Sequence, residues 1–102
     1  MSGFSANGPA LAARQRRILF RSWHRGMREV DLILGRFADA EIAKLCESEL
    51  DAYESLLEAA DWDIFRWITG EAAPPAAYDT PVFRKILAFH WGAGSLGNRQ
   101  LS

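Results

Sequence analysis

Cationic side chains surround one glycine, Gly26, near the end of the first third of the chain. They are Arg21, His24, Arg25 and Arg28, and Glu29 follows the glycine at the third position. Planar guanidinium groups suit bidentate recognition of carboxylate or phosphate. A glycine without a Cβ also lets a partner's backbone approach closely. The spacing Arg-Gly-x-x-Glu therefore predicts a surface that recognises a charged partner.

A purely local interpretation of the same residues is also open. Gly26 permits a turn between two helices, and Arg25 and Glu29 have the i, i+4 spacing of an ion pair on one helix face. Such an exposed pair is worth only about 0.3–0.5 kcal/mol. The cations around the turn outnumber what one glutamate needs, which favours the binding interpretation.

The remaining residues give little indication of a catalytic or metal-binding site. Cys46 is the single cysteine and the two histidines, His24 and His90, are far apart, so a zinc site is not easily assembled. Cys46 falls within an apolar stripe and is predicted to be a small core residue. Asp61 and Asp63 could act as an acid/base pair or bind a metal. We favour a structural role, because carboxylates at a helix start satisfy free amides.

Charge is distributed unevenly along the 102 residues, although the net charge is only −1. Arginines dominate the first third, whereas residues 39–63 contain nine acidic residues and one lysine. Either oppositely charged helices lie side by side, or the arginines form a basic face for an acidic partner. The near-neutral total argues against nucleic acid as a partner. No apolar run approaches the roughly twenty residues that span a bilayer, so no membrane insertion is expected.

Apolar spacing predicts an all-α protein, a compact five-helix bundle in a single domain. Asp39 is the predicted N-cap of the third and longest helix, and Gly70 should end the fourth. Residues 1–8 are expected to be a disordered leader, 9–92 the helical domain and 93–102 a flexible tail. The predicted helices span roughly Pro9 to Trp23, Met27 to Phe37, Asp39 to Leu57, Trp62 to Thr69 after an Asp61 cap, and Pro81 to His90 after a Thr80 cap.

Two separated blocks of this sequence resemble the SdhE family, also called succinate dehydrogenase assembly factor 2. The first block is Arg25-Gly26-Met27-Arg28-Glu29-Val30-Asp31. The second is Tyr53, Leu56 and Leu57 followed by Asp61, Asp63, Ile64, Phe65 and Trp67. The resemblance covers roughly residues 14 to 90. One departure is His24, where many relatives have a second arginine, so the local charge here depends on pH.

The resemblance implies a five-helix bundle that is a chaperone-like assembly factor and not an enzyme. Such a protein binds the flavoprotein subunit of succinate dehydrogenase, sometimes also of fumarate reductase, and promotes its covalent attachment to FAD. It implies that FAD acts on the partner flavoprotein and that this chain binds no cofactor stably. Carried over residue by residue, the partner-binding centre is Arg25, Gly26 and Glu29, with His24, Met27, Arg28 and Asp31 beside it. Phe65 and Trp67 are expected in the core.

An alternative is an antitoxin-type or nucleic-acid-binding regulator that uses the arginine-rich first helix, since relatives have at times been labelled antitoxins. Nucleic-acid binding would weaken steeply with salt, because phosphate contacts release counterions. The favoured prediction remains the assembly factor, monomeric when free. It is expected in a bacterial cytoplasm, with the mitochondrial matrix as the second choice.

Overall fold

A computed structural model describes residues 11–93 of the chain, and within that range every regular element is helical. The prediction of an all-α, five-helix protein is confirmed. The five α-helices of the described residues are α1 (Ala13–Trp23), α2 (Arg28–Glu41), α3 (Glu47–Leu56), α4 (Asp61–Thr69) and α5 (Pro81–Ala88). Short 3₁₀ turns occupy Ile42–Lys44 and Ala76–Tyr78, and a π-helical turn, Phe89–Ala93, follows α5. The predicted leader and all but residue 93 of the predicted tail lie outside the described residues.

The first helix begins later than predicted. Ala12 has extended backbone angles (φ −68°, ψ 159°), so the helix begins at Ala13 rather than near Pro9, which itself lies outside the described residues. Gln15 supplies the physical reason, because its side-chain Oε1 accepts the Ala12 N–H at 2.9 Å. This closes the helix start locally, without a proline in the first turn.

The boundary between the second and third helices was predicted wrongly. Asp39 lies inside α2, which at 14 residues is longer than the 10-residue α3. Its carboxylate accepts a hydrogen bond from the Trp23 indole N–H at 3.2 Å instead of capping a helix. The third helix begins only after Cys46, whose backbone N–H donates to Glu49 Oε1 at 3.0 Å. Cys46 is consequently exposed at a helix start, and its assignment to the core was also wrong.

The ends of α4 and α5 agree more closely with prediction. Gly70 ends α4 with φ +85°, a conformation that glycine adopts without strain. Thr80 Oγ1 accepts the Phe83 N–H at 3.2 Å, and Pro81 takes the first helical position of α5. Asp61 is the first residue of α4 rather than its N-cap, which is Ala60.

One apolar core joins all five helices. Its fully buried side chains include Ile18 of α1, Leu34 of α2, Tyr53 of α3, Ile64 of α4 and Ile86 of α5. Burying one such aliphatic side chain contributes about 1.5–3 kcal/mol. The apolar spacing from which the helices were predicted therefore supplies the side chains of the core. No helix among the described residues has the length and apolarity needed to cross a membrane.

A buried pair of hydroxyl groups links the first three helices. The Tyr53 hydroxyl lies 2.7 Å from Ser22 Oγ and 3.3 Å from the Leu34 carbonyl oxygen. Ser22 Oγ in turn donates to the Ile18 carbonyl at 2.8 Å. Burial raises the pKa of Tyr53, so its hydroxyl stays protonated and able to donate.

Ion pairs connect α1 to α3 and to the turn after it, in agreement with the first of the two charge interpretations. Arg14 contacts carboxylates of Glu47, Asp51 and Glu54, and Arg21 contacts Glu58 at 2.9 Å. Most of these carboxylates are exposed, so each pair contributes little by itself. Their combined effect is to fix which face of α1 is turned toward α3.

Close packing of α1 on α2 depends on Gly35. A Cβ placed on this buried helical glycine would overlap the six-membered ring of the Trp23 indole. The indole cannot turn away freely, because its N–H is bonded to Asp39. Gly35 thus lets the indole of α1 lie directly on the α2 backbone.

We expect Gly35→Ala to lower the free energy of unfolding by about 1–3 kcal/mol, the typical result of overpacking. The higher helix propensity of alanine would by itself raise the free energy of unfolding by up to about 1 kcal/mol. Denaturant unfolding of both proteins measures the difference. In a Trp23→Leu background the same substitution should cost much less. A Gly35→Ala protein more stable than the wild type would show that the indole moves freely.

Candidate partner-binding site

The turn between α1 and α2 contains the centre of the predicted site. Gly26 has φ +115°, a backbone conformation that other residues rarely adopt, and a Cβ added there would meet nothing within 4 Å. On one side α1 ends at Trp23, and its C-cap is His24, whose Nδ1 lies 2.9 Å from the Phe20 carbonyl oxygen. On the other side Met27 precedes α2 and packs partly against the core. The glycine is thus needed for the turn and leaves open space beside it.

Arg25 fastens this turn to the turn between α3 and α4. Its Nε donates to Asp61 Oδ1, its Nη1 to the Leu57 carbonyl at 2.8 Å, and its Nη2 to the Ala59 carbonyl at 2.6 Å. The last carbonyls of a helix lack partners within the helix, and a cation there also suits the helix dipole. Only 10% of the Arg25 side chain is exposed. All three guanidinium nitrogens therefore act inside the molecule.

Asp31 holds the same residue from the other side. Its Oδ1 accepts the Arg25 backbone N–H at 2.9 Å, while Asp31 itself sits in the first turn of α2. A carboxylate near a helix N-terminus is favoured by the helix dipole. Arg25 and Asp31 thus position the turn, an internal role that the sequence did not indicate. Their direct contact with a partner stays a prediction.

Four of the predicted site residues face solvent: His24, Gly26, Arg28 and Glu29. Within residues 11–93, the side chains of Arg28 and Glu29 make no ion pair and no hydrogen bond. The local Arg25–Glu29 pair considered above does not form there, because the Arg25 guanidinium is turned toward Asp61. Arg28 and Glu29 therefore offer their charges to an external partner.

Two exposed aromatic residues adjoin the turn, and sequence reasoning missed both. Phe20 is 63% exposed and stacks on the His24 ring with centroids 4.0 Å apart. Trp62 is 61% exposed and follows Asp61, the residue that binds Arg25. The sequence could have indicated both, because each lies outside the apolar face of its helix and is therefore expected to be exposed. Large exposed aromatic side chains are enriched at protein interfaces.

The second sequence block is mainly structural. Trp67 is buried and stacks on Tyr78 with centroids 5.1 Å apart, as predicted for a core residue. Phe65 is half-buried against the core, and its ring centroid lies 5.6 Å from that of Trp62. Asp63 lies in the first turn of α4 and pairs with Arg66 at 3.5 Å, in agreement with the structural interpretation.

The other chemical candidates remain dispersed. Among the described residues no group of three or more His, Cys, Asp or Glu side chains could hold a metal ion. His90 is half-buried in the π-helical turn against the Trp91 ring. Burial, with a smaller effect of the Arg36 charge, lowers the pKa of His90. The described residues thus present a charged turn, not a cluster of reactive groups.

The described residues thus define a small all-α protein that exposes charged side chains at the turn between its first two helices. A family model described as "Flavinator of succinate dehydrogenase" (Sdh5) matches residues 16–90. The chain therefore belongs to the Sdh5 family, which confirms the family predicted from the two sequence blocks.

Several relatives share most of this chain. A protein of Dictyostelium discoideum named "Succinate dehydrogenase assembly factor 2, mitochondrial" is 42% identical over 83 residues, which are 81% of this chain and 58% of that protein. "FAD assembly factor SdhE" of Acetobacter pasteurianus is 37% identical over 89 residues, 84% of this chain and 82% of that protein. A Caenorhabditis elegans protein named "Succinate dehydrogenase assembly factor 2, mitochondrial" is 34% identical over 85 residues. These are 80% of this chain and 71% of that protein. The chain spans little more than half the length of the Dictyostelium relative.

We expect Arg25→Ala to lower the free energy of unfolding by about 2–4 kcal/mol, because it leaves Asp61 and two carbonyls without their donor. Arg25→Lys keeps the charge but not the planar fork, so it should recover less than half of that loss. Arg28→Ala is the matched control and should change stability by at most about 0.5 kcal/mol. Denaturant unfolding measures all three. Equal losses for Arg25→Ala and Arg28→Ala would contradict the internal role of Arg25.

Proposed function

We propose that this chain is an assembly factor that binds the flavoprotein subunit of succinate dehydrogenase and promotes covalent attachment of FAD to that subunit. The observation that carries the proposal is the Arg-Gly-x-x-Glu turn of a flavinator family, whose Arg28 and Glu29 side chains are exposed and unpaired within residues 11–93. The relatives named as assembly factors support the same activity.

The turn would reach its partner already ordered. Arg25 and Asp31 hold it through bonds inside the chain, so little conformational entropy is lost on binding. Gly26 leaves room for the partner's backbone, and Arg28 and Glu29 supply one charge of each sign. Charges at an interface fix orientation and exclude wrong partners more than they add affinity. The turn would therefore determine which surface of the flavoprotein is bound.

The chemistry would belong to the flavoprotein, and this chain would not be an enzyme. A histidine of the flavoprotein would form the covalent bond to FAD, and this chain would stabilise the conformation in which that bond forms. Its effect is limited by the difference between its affinities for the reactive and unreactive conformations. A shift of about a hundredfold in that equilibrium requires about 2.7 kcal/mol of differential binding.

We place FAD in the partner rather than in this chain. Dinucleotide sites of the common kind need a strand that leads into a glycine turn and then a helix N-terminus. Residues 11–93 contain no strand, so no glycine turn in that range follows one. The absence of this arrangement from residues 11–93 supports placing FAD in the partner.

Nucleic-acid binding by α1 is the less favoured alternative. Arg14 is already surrounded by three carboxylates and Arg21 is paired with Glu58, so part of the positive charge is neutralised within the molecule. The net charge of −1 gives no general attraction to phosphates. We infer a monomer when free, in a bacterial cytoplasm such as that of the Acetobacter relative or, second, in a mitochondrial matrix.

Glu29→Ala should lower covalent flavin on the flavoprotein at least about fivefold at matched expression, equivalent to ~1 kcal/mol of lost binding. In-gel flavin fluorescence of the denatured flavoprotein, made with and without this chain in one host, measures it. Glu29 is preferable to Gly26 as a target, because any side chain at φ +115° strains the backbone.

Glu71→Ala is the matched control, since this exposed glutamate lies in the connector after α4. It should leave flavin fluorescence unchanged. Circular dichroism should show the same helical content in both variants. The proposal fails if the flavoprotein is flavinylated equally with and without the wild-type chain. If the chain is required but Glu29→Ala supports as much covalent flavin as the wild type, the turn is not the contact surface.

A further inference from the structure

One face of α1 forms a shallow, open groove of about 440 Å³, and all of its lining residues belong to this helix. Its lining is Ala13, Arg16, Arg17, Phe20 and Arg21. The spacing i, i+3, i+4, i+7 and i+8 places all five on one side of a helix. The groove continues toward the turn through His24, which stacks on Phe20.

The groove has positive charge that the molecule does not neutralise. No acidic residue occurs in α1, and the nearby carboxylates of α3 and of Glu58 after it bind Arg14 and Arg21. Arg16 donates to the Leu11 carbonyl, and within the described part of the chain neither Arg16 nor Arg17 pairs with a carboxylate. Two guanidinium groups are thus available to an acidic ligand.

An exposed aromatic ring lies among these cations. Phe20 is 63% exposed, although burying such a ring would stabilise the fold. Exposed aromatic residues surrounded by polar groups mark interaction sites, and those buried on binding carry much of the interface energy. The groove therefore combines an apolar anchor point with two cations.

We propose that this groove binds an acidic segment of the flavoprotein that carries an apolar side chain, so that the contact at the Gly26 turn continues along α1. The inference rests on the proposed function and adds the chemistry of the second contact. Carboxylates of the segment would pair with Arg16 and Arg17, and its apolar side chain would cover Phe20. A peptide fits better than nucleic acid, because Glu58 brings a carboxylate to Arg21 at the groove.

The test measures the Kd between the full chain and the purified flavoprotein at low and high salt. Arg17→Glu should raise the Kd about tenfold at low salt and much less at high salt, because exposed charges are screened. Arg84→Glu makes the same change of net charge at an exposed position of α5 and should leave the Kd unchanged. Phe20→Ala should raise the Kd about fivefold at both salt concentrations, since an apolar contact is not screened.

Each outcome separates the groove from the proposed function. If the wild type binds and both groove variants bind equally well, the proposed function stands and the groove is not a contact. If the wild type does not bind the flavoprotein, both proposals fall. A 20-nucleotide RNA serves as the competing ligand. If it binds the wild type more tightly than the flavoprotein does, and Arg17→Glu weakens that binding, the ligand of the groove is nucleic acid and not an acidic peptide. Circular dichroism should show unchanged helical content in all variants.

Discussion

The guanidinium group of Arg25 is the contact on which the arrangement of the site depends. It joins two turns that are more than thirty residues apart in the chain and donates to two carbonyls, those of Leu57 and Ala59, in the turn after α3. A lysine could supply charge but not three donors in one plane. Because α1, α2, α3 and α4 all end or begin near this group, their relative positions at this end of the bundle follow from one side chain. The core fixes the helices elsewhere.

The side chains of the segment from Arg25 to Asp31 fall into two groups with different roles. Arg25 and Asp31 are used inside the molecule, whereas Arg28 and Glu29 on the following helical turn are not. An exposed pair of charges on a mobile loop would lose entropy when it bound a partner. The same charges on an anchored turn lose less, so one short motif both orders the surface and presents it.

The sequence was sufficient for what depends on local chemistry and insufficient for what depends on distant residues. Apolar spacing identified five helices, and Thr80, Pro81 and Gly70 marked helix ends, because those effects act within a few residues. Asp39 has the side chain of an N-cap, yet the Trp23 indole competes for its carboxylate and α2 continues past it. Arg25 and Asp61 are likewise 36 residues apart, and no local pattern reveals that pairing. Cys46 was misplaced because the helix boundary before it was.

The distribution of charge on α1 follows from how α3 is placed. Carboxylates of α3 reach Arg14, and Glu58 in the turn after α3 reaches Arg21, whereas Arg16 and Arg17 form no ion pair within the described residues. One arginine-rich helix is therefore neutralised where it packs and positive where it is exposed. A net charge of −1 for the whole chain conceals this asymmetry. Recognition of an acidic surface next to the turn then requires no general positive charge, which would attract every polyanion.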